Sequence, residues 1–198
     1  MNNTTILRNT FRAILLLIIQ VLILKRINLG GDAFNYISIF IYPIFLLYLP
    51  MSIPLWMMLL VGAFYGYCID LFYDTIGINM AACIFSAYIR SWLIQILEPQ
   101  GGYKLGISPT RRQLGFQWFM TYAAGFMFLH IFFFFSVEEF TPFYWKKIIF
   151  NTFPSFIVSM LLVVALSLVF DPSEWFTILD FRFTIYDFEL ETFLFIRQ

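Results

Sequence analysis

Charge is what this 198-residue chain has least of. Only 12% of its residues are Asp, Glu, Lys or Arg, against about 25% in soluble domains. Hydrophobic residues make up 61%, and the mean hydropathy is +0.83. A chain so poor in polar surface cannot cover a water-facing globule, so it has to meet lipid or a very large partner. The formal net charge is zero, and with no basic stripe to neutralise phosphates, nucleic acid is not an expected partner. Histidine occurs once and cysteine twice. Cys68 and Cys83 lie in apolar sequence without metal-ligand or redox spacing, and read as small hydrophobes. One histidine cannot fill a coordination shell, so neither a metal nor another cofactor is expected. Nucleotide loops, nucleophile elbows and metalloprotease patterns are missing from the sequence, as is a row of charges along an ion pathway. The chain therefore reads as a non-enzymatic membrane protein.

What it does have is long apolar runs, and its few charges and prolines divide them. The first expected span is 8–26, with Arg8, Arg12, Lys25 and Arg26 at its ends; no small-x-small cleavage pattern follows, so it reads as a retained span. The 37 residues between Asp32 and Asp70 carry no charge. As one helix they would reach roughly 55 Å, against a hydrocarbon core of about 30 Å. Pro50 and Pro54 in L-P-M-S-I-P break them into a hairpin with expected helices at 34–50 and 54–70. Further spans are expected at 77–97, 114–137 and 149–170, with a polar Gly/Pro-rich loop at 98–113. The expected fold class is all-α, a polytopic six-helix transmembrane bundle. Lys104, Arg111 and Arg112 lean the 98–113 loop towards the cytoplasm, which places both termini inside. The tail 171–198 is read as cytoplasmic. Its F-R-F-T-I-Y-D-F-E-L-E alternates apolar and polar residues, and the sequence leaves its conformation open.

The residues that stand out are few. Gly62, Gly66 and Asp70 recur every four positions, so they share one face of the third span. That face serves close approach to a partner helix or internal packing of the bundle; Ala82 in the next span allows the same. Asp70 and Asp74, one turn apart, suggest cation binding or acid/base chemistry. The plainer reading is two water-exposed carboxylates that fix the turn into the fourth span. Gly77 is read as a site of positive φ or of tight packing. Arg90 either snorkels to the headgroups or meets a polar partner at depth, too far along its helix to pair with Asp70. His130, deep in the fifth span, is read as a neutral imidazole bonded to a carbonyl or hydroxyl, since no partner for a proton relay is evident.

Residues 36–97 resemble the rod-shape-determining MreD family. The resemblance rests on Y-I-S-I-F-I-Y-P-I-F-L-L-Y-L-P, a short break, and W-M-M-L-L-V-G-A-F-Y-G-Y-C-I-D-L-F-Y-D-T-I-G-I-N-M-A-A-C-I-F-S-A-Y-I-R, with Gly62, Gly66, Asp70, Gly77 and Ala82 in the family's places. The phenylalanine-rich spans look similar to members from the Bacteroidota. The resemblance implies a non-enzymatic adaptor of the cell-elongation peptidoglycan-synthesis complex in the bacterial inner membrane. Its implied partners are a bitopic MreC-like protein and, through it, a RodA-type glycosyltransferase, a class B penicillin-binding protein and the actin-like MreB. It also implies a fold similar to the substrate-binding subunits of energy-coupling-factor vitamin transporters, which supplies an alternative function, small-molecule capture. The long 98–113 loop and the extended tail depart from the family pattern.

Overall fold

The computed structural model describes residues 3–26, 37–75, 77–103, 108–140 and 144–169. All regular structure among them is helical: α1 (Asn3–Ile18), α2 (Ile44–Leu47), α3 (Leu55–Tyr73), α4 (Ile78–Ile96), α5 (Arg111–Leu114), α6 (Phe116–Glu139) and α7 (Trp145–Val169). Helix α1 runs on through a π-helical turn, Ile19–Ile23, and a 3-10 turn, Leu24–Arg26. Among the described residues, α3, α6 and α7 are long and apolar enough to cross a membrane. The chain is an all-α, polytopic membrane protein. The tail 171–198, Lys104 and Asp32 lie outside the described residues.

Local chemistry sets the helix boundaries. Pro54 takes an extended conformation (φ −66°, ψ 148°) immediately before α3. At the far end Asp74 adopts the left-handed conformation at φ 56°, which Asp tolerates better than most residues. Gly77, at φ 79°, opens α4. A side chain there would meet no neighbour within 4 Å, so this glycine answers to its backbone conformation and not to packing.

Contacts between side chains fix how the helices run. Lys25 donates to the Phe72 carbonyl and lies 3.9 Å from Asp74, which joins the end of the first segment to the end of α3. Trp118 Nε1 donates to the Leu97 carbonyl (2.7 Å) and His130 meets Ser86 midway, so α6 is antiparallel to α4. Glu139 and Lys147 pair at 2.5 Å, and the Phe128 ring meets Phe153 and Phe156, so α7 is antiparallel to α6. One end of the bundle therefore carries Arg26, Tyr73, Ile78, Glu139 and Trp145. The other carries Leu55, Ile96, Phe116 and Val169.

Over the described part of the helix expected at 34–50, residues 37–50, no long helix forms. Residues 37–43 are non-helical and Ile44–Leu47 makes a single turn, so among the described residues the expected six-helix bundle gives way to five long helical segments around a non-helical one. Phe40, Ile41, Tyr42 and the whole stretch from Ile44 to Leu49 are buried. This burial is the physical condition for the departure. In lipid every backbone N–H and C=O must be satisfied, and irregular backbone survives at membrane depth only inside protein.

Candidate functional site

Around the interior segment the bundle assembles its buried polar residues. Helix α7 offers one face: Ser155 Oγ accepts the Ser38 N–H (3.1 Å), and one turn later Ser159 Oγ accepts the Phe40 N–H (2.9 Å). Residues two apart in extended chain and four apart in a helix both advance by about 6 Å, so the two registers match. From the other side the Gln20 amide reads the segment as a neighbouring strand would. Its Oε1 accepts the Ile41 N–H and its Nε2 donates to the Ile39 carbonyl, both at 2.9 Å. Gln20 sits in the π-helical turn that extends α1, an irregularity frequent at functional positions.

Asp70 lies at the head of a chain of hydrogen bonds. It is 3% exposed, which corrects the expectation that both aspartates face water; Asp74, with its side chain 91% exposed, does so. The reason is that α4 starts against the last turn of α3. Asp70 Oδ1 accepts the Asn79 N–H (3.0 Å) and Oδ2 the Met80 N–H (2.9 Å), so a carboxylate from one helix caps the first turn of the next. Thr75 Oγ1 (2.5 Å) and Asn79 Nδ2 (2.9 Å) also donate to Oδ1. Asn79 Nδ2 donates to Thr75 as well. That leaves Asn79 Oδ1 as the acceptor for the Tyr42 hydroxyl (2.9 Å). The Tyr42 oxygen in turn meets His130 Nε2 (2.9 Å), and His130 Nδ1 meets Ser86 Oγ (2.6 Å), which also donates to the Ala82 carbonyl (2.8 Å). With Tyr42 donating to Asn79, the neutral imidazole carries its hydrogen on Nε2. The Ser86 hydrogen is then shared between Nδ1 and Ala82.

Arg90 ends the other side of the segment. At 2% exposure it does not snorkel; it donates to the Leu49 carbonyl and to Met58 Sδ, while the Tyr122 hydroxyl donates to the Leu47 carbonyl (3.2 Å). A cation and a hydroxyl thus cover the open carbonyls after the single turn α2. Arg90 and Asp70 do not meet. Met80, which Asp70 caps, and Arg90 are ten residues apart on α4, about 15 Å.

The face made by Gly62 and Gly66 is taken by α4. A Cβ built on Gly66 would stand 2.5 Å from Met80 Cα and 2.7 Å from the Asn79 carbonyl oxygen; on Gly62 it would stand 3.0 Å from the Cys83 carbonyl oxygen. The glycines let two backbones approach where no side chain fits, and this face is closed to any other protein. Of the residues singled out in the sequence, the structure brings together Asp70, Gly62 and Gly66 at one helix–helix contact, and Ala82 is buried beside Ser86 and His130 instead. It leaves Asp74 on the surface and Arg90 at the opposite end.

Sequence reasoning missed Gln20, Tyr42, Asn79, Ser86, Ser155 and Ser159. A signal existed: Gln20 is the one polar residue in A-I-L-L-L-I-I-Q-V-L-I-L, and Asn151, Ser155, Ser159 and Ser167 recur at multiples of four along α7. A half-open groove of about 580 Å³ lies between α1 and α3, walled by Ala13, Leu17, Phe45, Leu49, Leu60 and Phe64. No charged side chain lines it, and the polar side chains among its lining residues are those of Thr10, Tyr65 and Cys68. Among the described residues no three His, Cys, Asp or Glu side chains gather as metal ligands. No protein-family model, curated protein or solved structure matches this chain.

Proposed function

We propose that this chain is a non-enzymatic adaptor of the MreD type, a multi-pass protein of the bacterial inner membrane that serves the cell-elongation peptidoglycan-synthesis complex. In this reading the chain crosses six times with both termini cytoplasmic, and the interior segment 37–50 makes the second crossing. The supporting observation is where the buried polar groups go. Asp70, Asn79, Tyr42, His130, Ser86, Gln20 and Arg90 are engaged with the chain itself. An active site needs polar side chains converging on a space that a substrate can enter; here they meet one another and the chain's own backbone. The product is a defined shape with an apolar outside, which suits the holding of other membrane proteins. The vitamin-capture alternative requires polar anchors in a pocket, and the α1–α3 groove offers no charged one.

The test uses a strain depleted of its own copy and complemented with variants, read as cell shape, membrane abundance and co-purification of the bitopic MreC-like partner. Wild type is expected to restore rods and to bring the partner down. Asp70→Leu should lose both through loss of the fold, whereas Asp70→Asn should retain part of each. Complete loss of function in Asp70→Asn at normal abundance and normal partner yield would point to charge-dependent chemistry and overturn the adaptor reading. A stoichiometric small molecule in the native mass spectrum of the purified protein would favour the transporter alternative.

A further inference from the structure

Three bonds set α1 and its extension alongside α3, running in the same direction. The Tyr65 hydroxyl donates to the Ala13 carbonyl (3.3 Å), Gln20 Nε2 donates to the Tyr73 hydroxyl (2.8 Å), and Lys25 donates to the Phe72 carbonyl. Towards the Leu55 end, α1 rests on the single turn α2 and stands off from α3. The groove of about 580 Å³ occupies that gap. Its inner end lies at Leu17 and Cys68, and the Gln20–Tyr73 bond closes it one turn further on. From there it runs down to Leu49 and Ile53. Ile14, Leu60 and Phe64 form its lips and are exposed on the outside of the bundle.

We propose that this groove seats one acyl chain of a membrane phospholipid, lying along α3. Something has to fill it. Water finds too few polar partners on such walls, and an empty apolar recess forfeits the dispersion contacts of its lining. Length and width then choose the occupant. From Met57 to Cys68 is 11 residues, about 16 Å of helix. That is half of the ~30 Å hydrocarbon core, the depth of one leaflet, whereas a crossing helix needs a seat along all of it. A volume of 580 Å³ over that length leaves a cross-section of about 35 Å², against about 80–110 Å² for a helix 10–12 Å across. A single hydrocarbon chain, with neighbouring carbons at about 4 Å, fits. The thirteen lining residues also fall short of the roughly 20–30 a side that a stable protein interface uses. A lining without charge complements a chain without charge. The inference rests on the shape and chemistry of the groove and is independent of the adaptor reading.

The experiment uses the full chain in phosphatidylcholine nanodiscs containing a phosphatidylcholine with a diazirine in its acyl chain. After illumination, the labelled residues are mapped by mass spectrometry. Residues 10–17 and 57–68 should take up at least five-fold more label than the exposed apolar side of α7 at Phe150, Ile157 and Leu161. Val61→Phe, and separately Ala13→Leu, put bulk into the groove and should bring its labelling down to the α7 level. Hydrogen exchange in α3 and α4 matching wild type shows that each variant is folded. A wild-type groove labelled no more than α7 overturns the proposal, as does an excess that survives both filling variants in folded protein. The same labelling is repeated in native membranes. A groove protected there while α7 still labels belongs to a protein, and that result also overturns the proposal.

Discussion

The α3–α4 hairpin and the interior segment 37–50 are neighbours in the bundle, held by opposite means. In the hairpin each helix satisfies its own backbone, and the two meet through Gly66, with the Asp70 carboxylate of one helix capping the start of the other. The interior segment has almost no bonds of its own until the turn at Ile44. Its N–H and C=O groups are met by Gln20 from the α1 extension, Ser155 and Ser159 from α7, Tyr122 from α6 and Arg90 from α4. Backbone can thus be irregular inside a membrane protein when several elements each lend it a polar side chain. The hairpin is a local structure, whereas the segment exists only once the rest of the bundle has closed around it.

That contrast can be broken at several points. The largest effect is expected for Asp70→Leu, which strands the Asn79 and Met80 N–H groups, the Asn79 amide and the Thr75 hydroxyl; at about 1–3 kcal/mol for each unmatched buried group, the loss should be on the order of 4 kcal/mol or more. Unfolding in mixed detergent micelles measures it. Gly66→Ala comes next, at about 2–3 kcal/mol, because its methyl would meet backbone atoms that cannot give way without parting the helices. Gly62→Ala, with a 3.0 Å nearest contact, should cost less.

Gln20→Leu should cost about 2 kcal/mol by orphaning the Ile41 N–H and the Ile39 carbonyl. Its signature is more specific than its size: hydrogen exchange should rise across 38–42 while 55–70 stays protected. Equal acceleration in both regions would show that the segment is no more dependent on borrowed side chains than the hairpin is. Asp74→Asn should sit at the bottom, within about 0.5 kcal/mol, since an exposed ion pair 3.9 Å apart contributes little.

Much of the hairpin is legible in the sequence. The Gly62–Gly66–Asp70 spacing and the punctuation by Pro54 and Gly77 place two helices close together with a carboxylate at their junction. The spacing does not tell that Asp70 turns inward. Its burial depends on α4 beginning within reach of its oxygens, a distance that no local pattern encodes. The interior segment reads as a helix for a definite reason. I-S-I-F-I-Y-P-I-F-L-L-Y is equally apolar as a buried helix or as a buried extended chain, and hydrophobicity without period does not separate the two.

The sequence by itself determined that this protein lives in a membrane and that it is helical there. Those properties follow from composition and from local rules: desolvated backbone must bond to itself, and proline and glycine mark where it ceases to. Only the tertiary structure decided that Ser38–Pro43 runs non-helical through the middle before the single turn at Ile44–Leu47, and that Asp70, Asn79, Tyr42, His130 and Ser86 form one connected chain. Both depend on groups separated by up to 119 residues in sequence meeting in space. A hydrogen bond in a bilayer is specified by which donor has which acceptor within about 3 Å, and that pairing is a property of the packed bundle and not of any stretch of the chain.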